Sequence, residues 1–185
     1  MSLLRPWHTL SRRRLFSGGP ISDLSVETVR LPDGREIDDY YSVRMPDYVL
    51  IYAEMRDGSV PLLRQYRHGP RRVCLTFPGG TIDGAESPLD AAQRELLEEL
   101  GATAGAWQSL GSYVTNANQG CNTAHLFLAT GCEIVQPPES GDLEESELVF
   151  LTPDALDADE RLAEIGLTSH VALLLLARRV RLSAQ

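Results

Sequence analysis

The chain has 185 residues, of which 43% are hydrophobic and 23% are charged, and its formal net charge at pH 7 is −9. This composition is typical of a globular protein, and the acidic balance argues against nucleic acid as a partner, because no surplus of basic side chains could neutralise its phosphates. No apolar run approaches the ~18 residues that a membrane-spanning helix requires. We therefore expect one domain over residues 1–185 that binds neither nucleic acid nor a membrane.

The first part of the chain, residues 1–45, is predicted to form an arm and a β-hairpin. Three consecutive arginines, Arg12 to Arg14, precede Gly18-Gly19-Pro20 and no apolar run follows them, so we interpret this stretch as a solvated arm rather than a targeting sequence. Alternating side chains on both sides of Pro32-Asp33-Gly34 predict two paired strands, at residues 24–31 and 36–45.

The remaining segments alternate between strands and helices, which predicts an α/β fold. The last helix is expected to bury Val171, Leu174, Leu175 and Val180, and the helix before it is expected to begin at Pro153 with Thr152 as its cap. The predicted strands lie at residues 48–55, 60–66, 73–77, 107–114, 123–130 and 147–151, and the last helix lies at residues 169–181.

A helix of about three turns is predicted at residues 88–100. Ser87 is a good N-cap, Pro88 suits the first turn, and Gly101 suits the position just past the end. Its expected apolar stripe consists of Leu89, Ala92, Leu96 and Leu100.

Acidic side chains crowd the other side of this helix. Glu95 and Glu99 are four residues apart and Glu98 is three from Glu95, so we expect the carboxylates within reach of a common point. Such crowding is repulsive unless cations bind there, and carboxylate oxygens suit Mg²⁺ or Mn²⁺. Arg94 can pair with a neighbouring carboxylate and fix its rotamer. The alternative is an ordinary solvated acidic face.

The turn before the helix, Pro78-Gly79-Gly80, follows a predicted strand. Glycine has no Cβ, so backbone carbonyls there can approach a cation closely. The Gly79 carbonyl is therefore a candidate metal ligand.

The spacing of these residues resembles the Nudix box: a glycine, five residues, a glutamate, seven residues, Arg-Glu, an aliphatic residue, any residue, Glu-Glu, any residue and a glycine. The resemblance implies an enzyme that cleaves a nucleoside diphosphate linked to another group, on a mixed β-sheet sandwiched between α-helices with an N-terminal hairpin. It implies metal ligation by Gly79, Glu95, Glu98 and Glu99, catalytic roles for Arg94, Glu98 and Glu99, and substrate contact at Gly80. The matching positions are Gly80, Glu86, Arg94, Glu95, Glu98, Glu99 and Gly101.

Upstream residues resemble the ADP-ribose pyrophosphatase branch of this family. These are Trp7, a hairpin built on Asp-Gly, and the run Gln65-Tyr66-Arg67 ahead of the Pro-Gly-Gly turn. The resemblance implies that Arg67 contacts the substrate diphosphate, for which a planar guanidinium is suited. The alternative is a strand-end arginine paired with an acidic residue.

Two departures from this branch leave the group beyond the diphosphate open. Thr76 stands where relatives usually carry Glu, and residues 116–120 replace a proline-containing loop. The branch also implies a general base from an acidic loop beyond the box, for which Glu144 is the first candidate and Glu145 the second. His125 is interpreted as a core histidine, and His170 is given no role.

The expected function is Mg²⁺- or Mn²⁺-dependent hydrolysis of ADP-ribose, or of a related nucleoside diphosphate sugar, to a nucleoside monophosphate and a sugar phosphate. The alternatives are hydrolysis of another nucleoside diphosphate derivative, such as a dinucleotide, and a non-catalytic nucleotide sensor. We expect a homodimer in which residues 1–45 pack on the partner and residues 46–185 form the core. Trp7 then either stacks on the substrate base or anchors the arm to its own core.

The cysteines indicate the compartment. Cys74, Cys121 and Cys132 form no Cys-x-x-Cys pair and leave one unpaired, which favours free thiols and a cytoplasmic location.

Overall fold

A computed structural model describes residues 4–139, 141 and 145–183. These residues form two compact units, one containing the chain up to Asp47 with Val114–Thr123, the other containing Tyr48–Tyr113 and the chain from Ala124 onward. The strands are β1 His8–Gly18, β2 Ile21–Arg30, β3 Glu36–Arg44, β4 Tyr48–Met55, β5 Val60–Arg67, β6 Arg72–Thr76, β7 Ala102–Thr103, β8 Ala106–Asn116, β9 Gly120–Ile134 and β10 Ser146–Leu151. The helices are α1 Pro88–Leu100, α2 Pro153–Leu156, α3 Asp159–Ile165 and α4 Thr168–Ser183.

The first unit is an antiparallel meander in which β1 pairs with β2 and β2 pairs with β3. The expected arm is exposed throughout residues 8–18, as predicted, and it forms a strand, which was not predicted. Arg12 and Arg14 each donate a hydrogen bond of 3.1 Å to Asp23, which is buried on β2. A buried carboxylate requires such partners, so the two arginines are held on Asp23 although both remain exposed to solvent.

The second unit is built on two parallel strands, β4 and β9, whose register runs from Tyr48 opposite Ala124 to Met55 opposite Cys132. Because β7 joins β9 in the antiparallel sense, the sheet is mixed, as predicted. A second sheet has the strand order β10-β5-β6, and its pairs are antiparallel.

Alternate residues of β4 and β9 point to opposite faces of the sheet, and helices cover both faces. One face of the two strands packs with α1, and the other packs with α2, α3 and α4, so the sheet lies between helices as predicted. The α1 side contains Val49, Ile51, Phe127 and Ala129, and the α4 side contains Leu50, Tyr52, Leu126 and Leu128.

Helix α1 has the predicted bounds and caps. The Ser87 side chain accepts a hydrogen bond from the Asp90 amide, and Gly101 ends the helix in the left-handed conformation with φ of 63°. The apolar stripe differs from the prediction at its first position, since Leu89 is 38% exposed. The buried residues are Ala91, Ala92, Leu96, Glu99 and Leu100.

Helix α4 extends one residue before and two residues beyond the predicted 169–181. Its predicted apolar face was partly wrong, since Leu175 is exposed while the buried residues are His170, Leu173, Leu174 and Ala177. The helix expected from Pro153 is α2, and the Thr152 hydroxyl caps it by accepting the Ala155 amide, as predicted, while a separate helix, α3, begins at Asp159. None of the helices in the described segments has the length and apolar character needed to cross a membrane.

Candidate active site

The Pro78-Gly79-Gly80 turn lies against the edge of β4. The Ile51 amide donates to the Pro78 carbonyl and the Val49 amide donates to the Gly80 carbonyl, both at 2.9 Å. The amides of β4 therefore donate to the Pro78 and Gly80 carbonyls and not to the Gly79 carbonyl between them.

The two glycines of the turn lie against different kinds of neighbour, rigid backbone at Gly79 and a side-chain carboxylate at Gly80. Gly79 has φ of 151°, and a Cβ there would overlap the Val49 carbonyl. A Cβ on Gly80 would overlap the Glu95 carboxylate. The backbone thus approaches α1 closely enough for Glu95 to lie directly over Gly80.

Glu99 of α1 binds the backbone of the turn. Its Oε2 accepts a hydrogen bond of 2.7 Å from the Gly79 amide, and the residue is only 7% exposed. A buried carboxylate is stable there because the amide N–H satisfies one of its oxygens. This contact joins the last turn of α1 to the glycine turn.

Arg94 gathers three other carboxylates around one guanidinium. It donates to Glu95 Oε1 at 2.8 Å, to Glu98 Oε2 at 3.0 Å and to Glu86 Oε1 at 3.1 Å. These contacts raise the pKa of Arg94, chiefly through Glu86, and the hydrogen bonds from Arg94 lower the pKa of Glu86. Three carboxylates share this one guanidinium, so the cluster carries an excess of negative charge.

The donor set fits a divalent cation by its chemistry. Among residues 4–139, 141 and 145–183, no three His, Cys, Asp or Glu side chains are arranged to hold a metal. Glu95 and Glu98 bind Arg94 while Glu99 binds Gly79, which explains why the three carboxylates do not converge as expected. Mg²⁺ usually binds through one or two carboxylates together with waters and substrate phosphates, so the cluster still suits it.

Two positions ahead of the turn differ in their environments. Thr76 is fully buried and its hydroxyl accepts a 2.7 Å hydrogen bond from the Gln65 amide group, so this pair belongs to the interior. Arg67 is partly exposed at the end of β5 and forms no ion pair with another described residue. Its positive charge contributes to lowering the pKa of His170.

Sequence reasoning assigned no role to His170, yet this residue binds the backbone just before the turn. Its Nδ1 accepts a hydrogen bond of 3.0 Å from the Phe77 amide, and its ring stacks on Phe77 with a centroid distance of 6.2 Å. The available signal was a single histidine in the apolar first turns of α4, because a buried imidazole requires a hydrogen-bonding partner.

The remaining predicted residues have different surroundings. His125 is only partly buried and contacts the Ser112 hydroxyl at 2.8 Å, so its interpretation as a core histidine was wrong. Glu145 is exposed just before β10, and Glu144 lies outside the described residues. Trp7 is 51% exposed, and its ring meets Tyr40 edge-on at 5.9 Å within the first unit.

Comparison with known proteins identifies the folds of both segments. Residues 44–169 match the family model of the NUDIX domain. Residues 7–47 match the model of the nucleoside diphosphate sugar hydrolase N-terminal domain.

The chain is similar to two curated proteins over most of its length. It is 31% identical over 160 residues to an ADP-ribose pyrophosphatase of Bacillus subtilis (strain 168), which covers 84% of this chain and 82% of that protein. It is 30% identical over 172 residues to an ADP-ribose pyrophosphatase of Mycobacterium tuberculosis (strain ATCC 25618 / H37Rv), covering 90% of this chain and 80% of that protein.

A solved structure shares the fold. The crystal structure of an ADP compounds hydrolase superposes with a TM-score of 0.79 at 22% identity, covering 97% of this chain and 96% of that one. From the glycine turn and the carboxylate cluster together with the match over residues 44–169, we conclude that this chain belongs to the Nudix family of hydrolases.

Proposed function

We propose that the protein is a Mg²⁺- or Mn²⁺-dependent pyrophosphohydrolase that splits ADP-ribose into AMP and ribose 5-phosphate. The observation that carries the proposal is the Glu99 contact with the Gly79 amide at 2.7 Å, beside the carboxylates that Arg94 gathers. The substrate follows from the two relatives named above, both ADP-ribose pyrophosphatases that align over most of their length.

The residues that would hold the cation are Glu95, Glu98, Glu99 and the Gly79 carbonyl. When bound, Mg²⁺ or Mn²⁺ supplies positive charge to the diphosphate and acidifies water. Arg94 holds one oxygen of Glu95 and one oxygen of Glu98. The other oxygen of each carboxylate is therefore already oriented, so little side-chain entropy is lost when the cation binds. Gly80 is proposed to contact the substrate through its backbone, and its missing Cβ leaves room for the Glu95 carboxylate beside it.

Arg67 is proposed to bind the diphosphate. A guanidinium that forms no ion pair with the other described residues can place two N–H groups on phosphate oxygens. The charge of Arg67 acts on His170, and His170 accepts the Phe77 amide just before the glycine turn, which supports this proposal.

The general base is proposed to be Glu144 or Glu145. Each precedes β10, and a carboxylate from this segment would take the proton of the attacking water. Glu145 is exposed, as an acid that faces substrate requires.

The assembly is proposed to be a homodimer formed through residues 1–45, acting in the cytoplasm. The first unit leaves several large apolar side chains exposed, which supports self-association. Cys74 and Cys132 are buried free thiols, which supports the cytoplasmic location. The exposed side chains are Trp7, Leu10, Leu15, Phe16 and Tyr41.

The test is a substrate panel with the purified protein and either Mg²⁺ or Mn²⁺. ADP-ribose, ADP-glucose, a diadenosine polyphosphate and ATP are compared by kcat/KM, with products separated by ion-exchange chromatography. We expect AMP and ribose 5-phosphate from ADP-ribose, with kcat/KM well above that for ATP. Preference for ATP would exclude the proposed substrate class, and binding without any product would favour a nucleotide sensor.

A further inference from the structure

The glycine turn is held by four consecutive backbone contacts, each from a different residue. Strand β4 binds the Pro78 and Gly80 carbonyls, and Glu99 binds the Gly79 amide. The remaining contact is made by His170, whose Nδ1 accepts the Phe77 amide at 3.0 Å. The turn is therefore anchored from β4, from α1 and from α4.

The His170 contact is the one on which the turn begins. Phe77 immediately follows β6, so its amide is the last backbone donor before the Pro78-Gly79-Gly80 segment. Pro78 has no amide hydrogen and cannot contribute a backbone donor of its own. The acceptor at Phe77 therefore holds the last amide before the turn.

We propose that His170 is a positioning residue of the active site. Its imidazole fixes the Phe77 amide and thereby the placement of Gly79 and Gly80. The effect of His170 on catalysis rests on the proposed function. His170 itself touches neither the carboxylate cluster nor, in this proposal, the substrate.

Burial keeps the imidazole in the form that this role needs. His170 is 6% exposed, and burial, assisted by the nearby charge of Arg67, lowers its pKa to about 3. The ring is therefore neutral at physiological pH, with an unprotonated Nδ1 that can accept the Phe77 amide.

A residue that only filled the core would need no acceptor at this point. Leu173 and Leu174 of the same helix pack in the same apolar cluster as Phe77 without a polar contact to the turn. Variation of the acceptor separately from the ring therefore separates positioning from packing.

The experiment compares three variants of His170 with the parent. His170→Asn keeps an oxygen acceptor near the place of Nδ1 but loses the ring. His170→Phe keeps a stacked ring but loses the acceptor, and His170→Gln moves the acceptor one bond further out. Leu173→Val, which trims the same core without touching the turn, is the matched control. Each protein is measured for Mn²⁺ affinity without substrate, for kcat and KM with ADP-ribose, and for melting temperature.

We expect His170→Phe to weaken Mn²⁺ binding by ~10-fold and to lower kcat by ~10- to 100-fold with KM nearly unchanged, because displacement of catalytic groups by about 1 Å has costs of this size. His170→Asn should stay within a few-fold of the parent. Leu173→Val should lower the melting temperature without changing Mn²⁺ affinity or kcat at 25 °C. If His170→Phe is too unstable to purify, His170→Asn and His170→Gln are compared instead. The first keeps the acceptor near the place of Nδ1 and the second displaces it.

Parent-like Mn²⁺ affinity and kcat in His170→Phe, or equal losses in His170→Asn and His170→Phe, would overturn the positioning role. A parent protein that binds Mn²⁺ but hydrolyses no substrate would refute the proposed function alone, since the Mn²⁺ affinities of the variants still decide on His170. A parent that binds no Mn²⁺ would overturn both.

Discussion

At the scale of single residues, Glu99 combines two tasks that the sequence presents as one. Its spacing from Glu95 marks it as a candidate cation ligand, and its contact with the Gly79 amide makes it a tie between helix and turn. The same carboxylate therefore contributes negative charge to the site and fixes the backbone that faces it. Because it is only 7% exposed, its loss should affect both.

Replacement of Glu99 separates the two tasks. In Glu99→Gln the amide oxygen can still accept the Gly79 N–H, so the fold should persist while kcat falls at least ~100-fold through loss of the negative charge. Glu99→Ala removes the acceptor as well and should also lower the melting temperature. Kinetics at saturating Mg²⁺ and calorimetry check both variants. Near-parent turnover of Glu99→Gln would show that this carboxylate is not a ligand.

His170 makes stability depend on pH. Its pKa is about 3 in the folded protein and near 6.5 when exposed, so between these values the unfolded chain binds the additional proton. Stability contributed by the neutral ring is therefore complete above about pH 6.5 and falls by up to ~1.4 kcal/mol per pH unit below it. Urea unfolding at pH 7.5 and pH 5 should show this loss in the parent and a smaller one in His170→Asn. Equal losses in both proteins would contradict the prediction.

At the scale of elements, the candidate site depends on how closely α1 approaches the glycine turn. The helix begins at the Ser87 cap and ends at Gly101, and between these caps Glu95 comes to lie over Gly80. Contact of this kind requires a residue without a side chain on one partner. Close packing therefore explains glycine at positions 79 and 80, because a Cβ at either position would overlap neighbouring atoms. The box spacing alone does not reveal this.

Gly80→Ala should lower activity by displacing Glu95. The added Cβ overlaps the Glu95 carboxylate, which must leave Arg94, and we expect kcat to fall ~10- to 100-fold. Gly69→Ala is the control, because a Cβ there meets no atom within 4 Å. Both variants are compared by kcat and melting temperature. Similar turnover in Gly80→Ala and the parent would contradict the close approach.

The acids that precede β10 can be ranked by the pH dependence of turnover. Loss of a general base should lower kcat by ~100- to 10,000-fold. It should also weaken the decrease of kcat at low pH, because that decrease reports protonation of the base. We expect this effect in one of Glu144→Gln and Glu145→Gln, while the other variant acts as its control. Parent-like profiles in both would place the base elsewhere.

At the scale of the whole molecule, packing within the N-terminal unit does not explain why several of its large apolar side chains are exposed. Its β1 strand is exposed along its whole length, although Arg12 and Arg14 tie it to Asp23. Val29 is already buried, so the hairpin does not require a partner to cover that side chain. The apolar residues that remain exposed are on or near β1 and β3.

Phe16→Glu should therefore weaken the proposed homodimer. Phe16 is half exposed on β1, and a charge buried at an interface is unfavourable. Leu182→Glu introduces the same charge at an exposed position of α4 and should leave the assembly unchanged. Sedimentation at micromolar concentration measures the mass of each protein. A monomeric parent would remove the dimer from the proposal.

Trp7 is expected to stack on the base of the substrate. A base stacked on an aromatic ring contributes ~1–3 kcal/mol, so Trp7→Ala should raise KM for ADP-ribose by roughly 5- to 150-fold with a smaller effect on kcat. Tyr40→Phe keeps the ring that meets Trp7 and is the control. An unchanged KM in Trp7→Ala would leave Trp7 as an anchor of the arm only.

The sequence by itself determined the features whose signals are local. Caps and helical spacing determine where α1 begins and ends, and alternating side chains indicate the strands of the core. The box spacing points to the family, because every specified charge and glycine lies within one short segment. Such signals need only neighbouring residues to be read.

Only the tertiary structure decided which distant residues meet. Pairing with β2 converts residues 8–18 into a strand, because Asp23 supplies the acceptor that Arg12 and Arg14 need. Burial against Phe77 turns His170 from an unassigned helix residue into a partner of the site turn. Contacts between residues far apart in the chain depend on packing of the whole fold, and no spacing along a single segment encodes them.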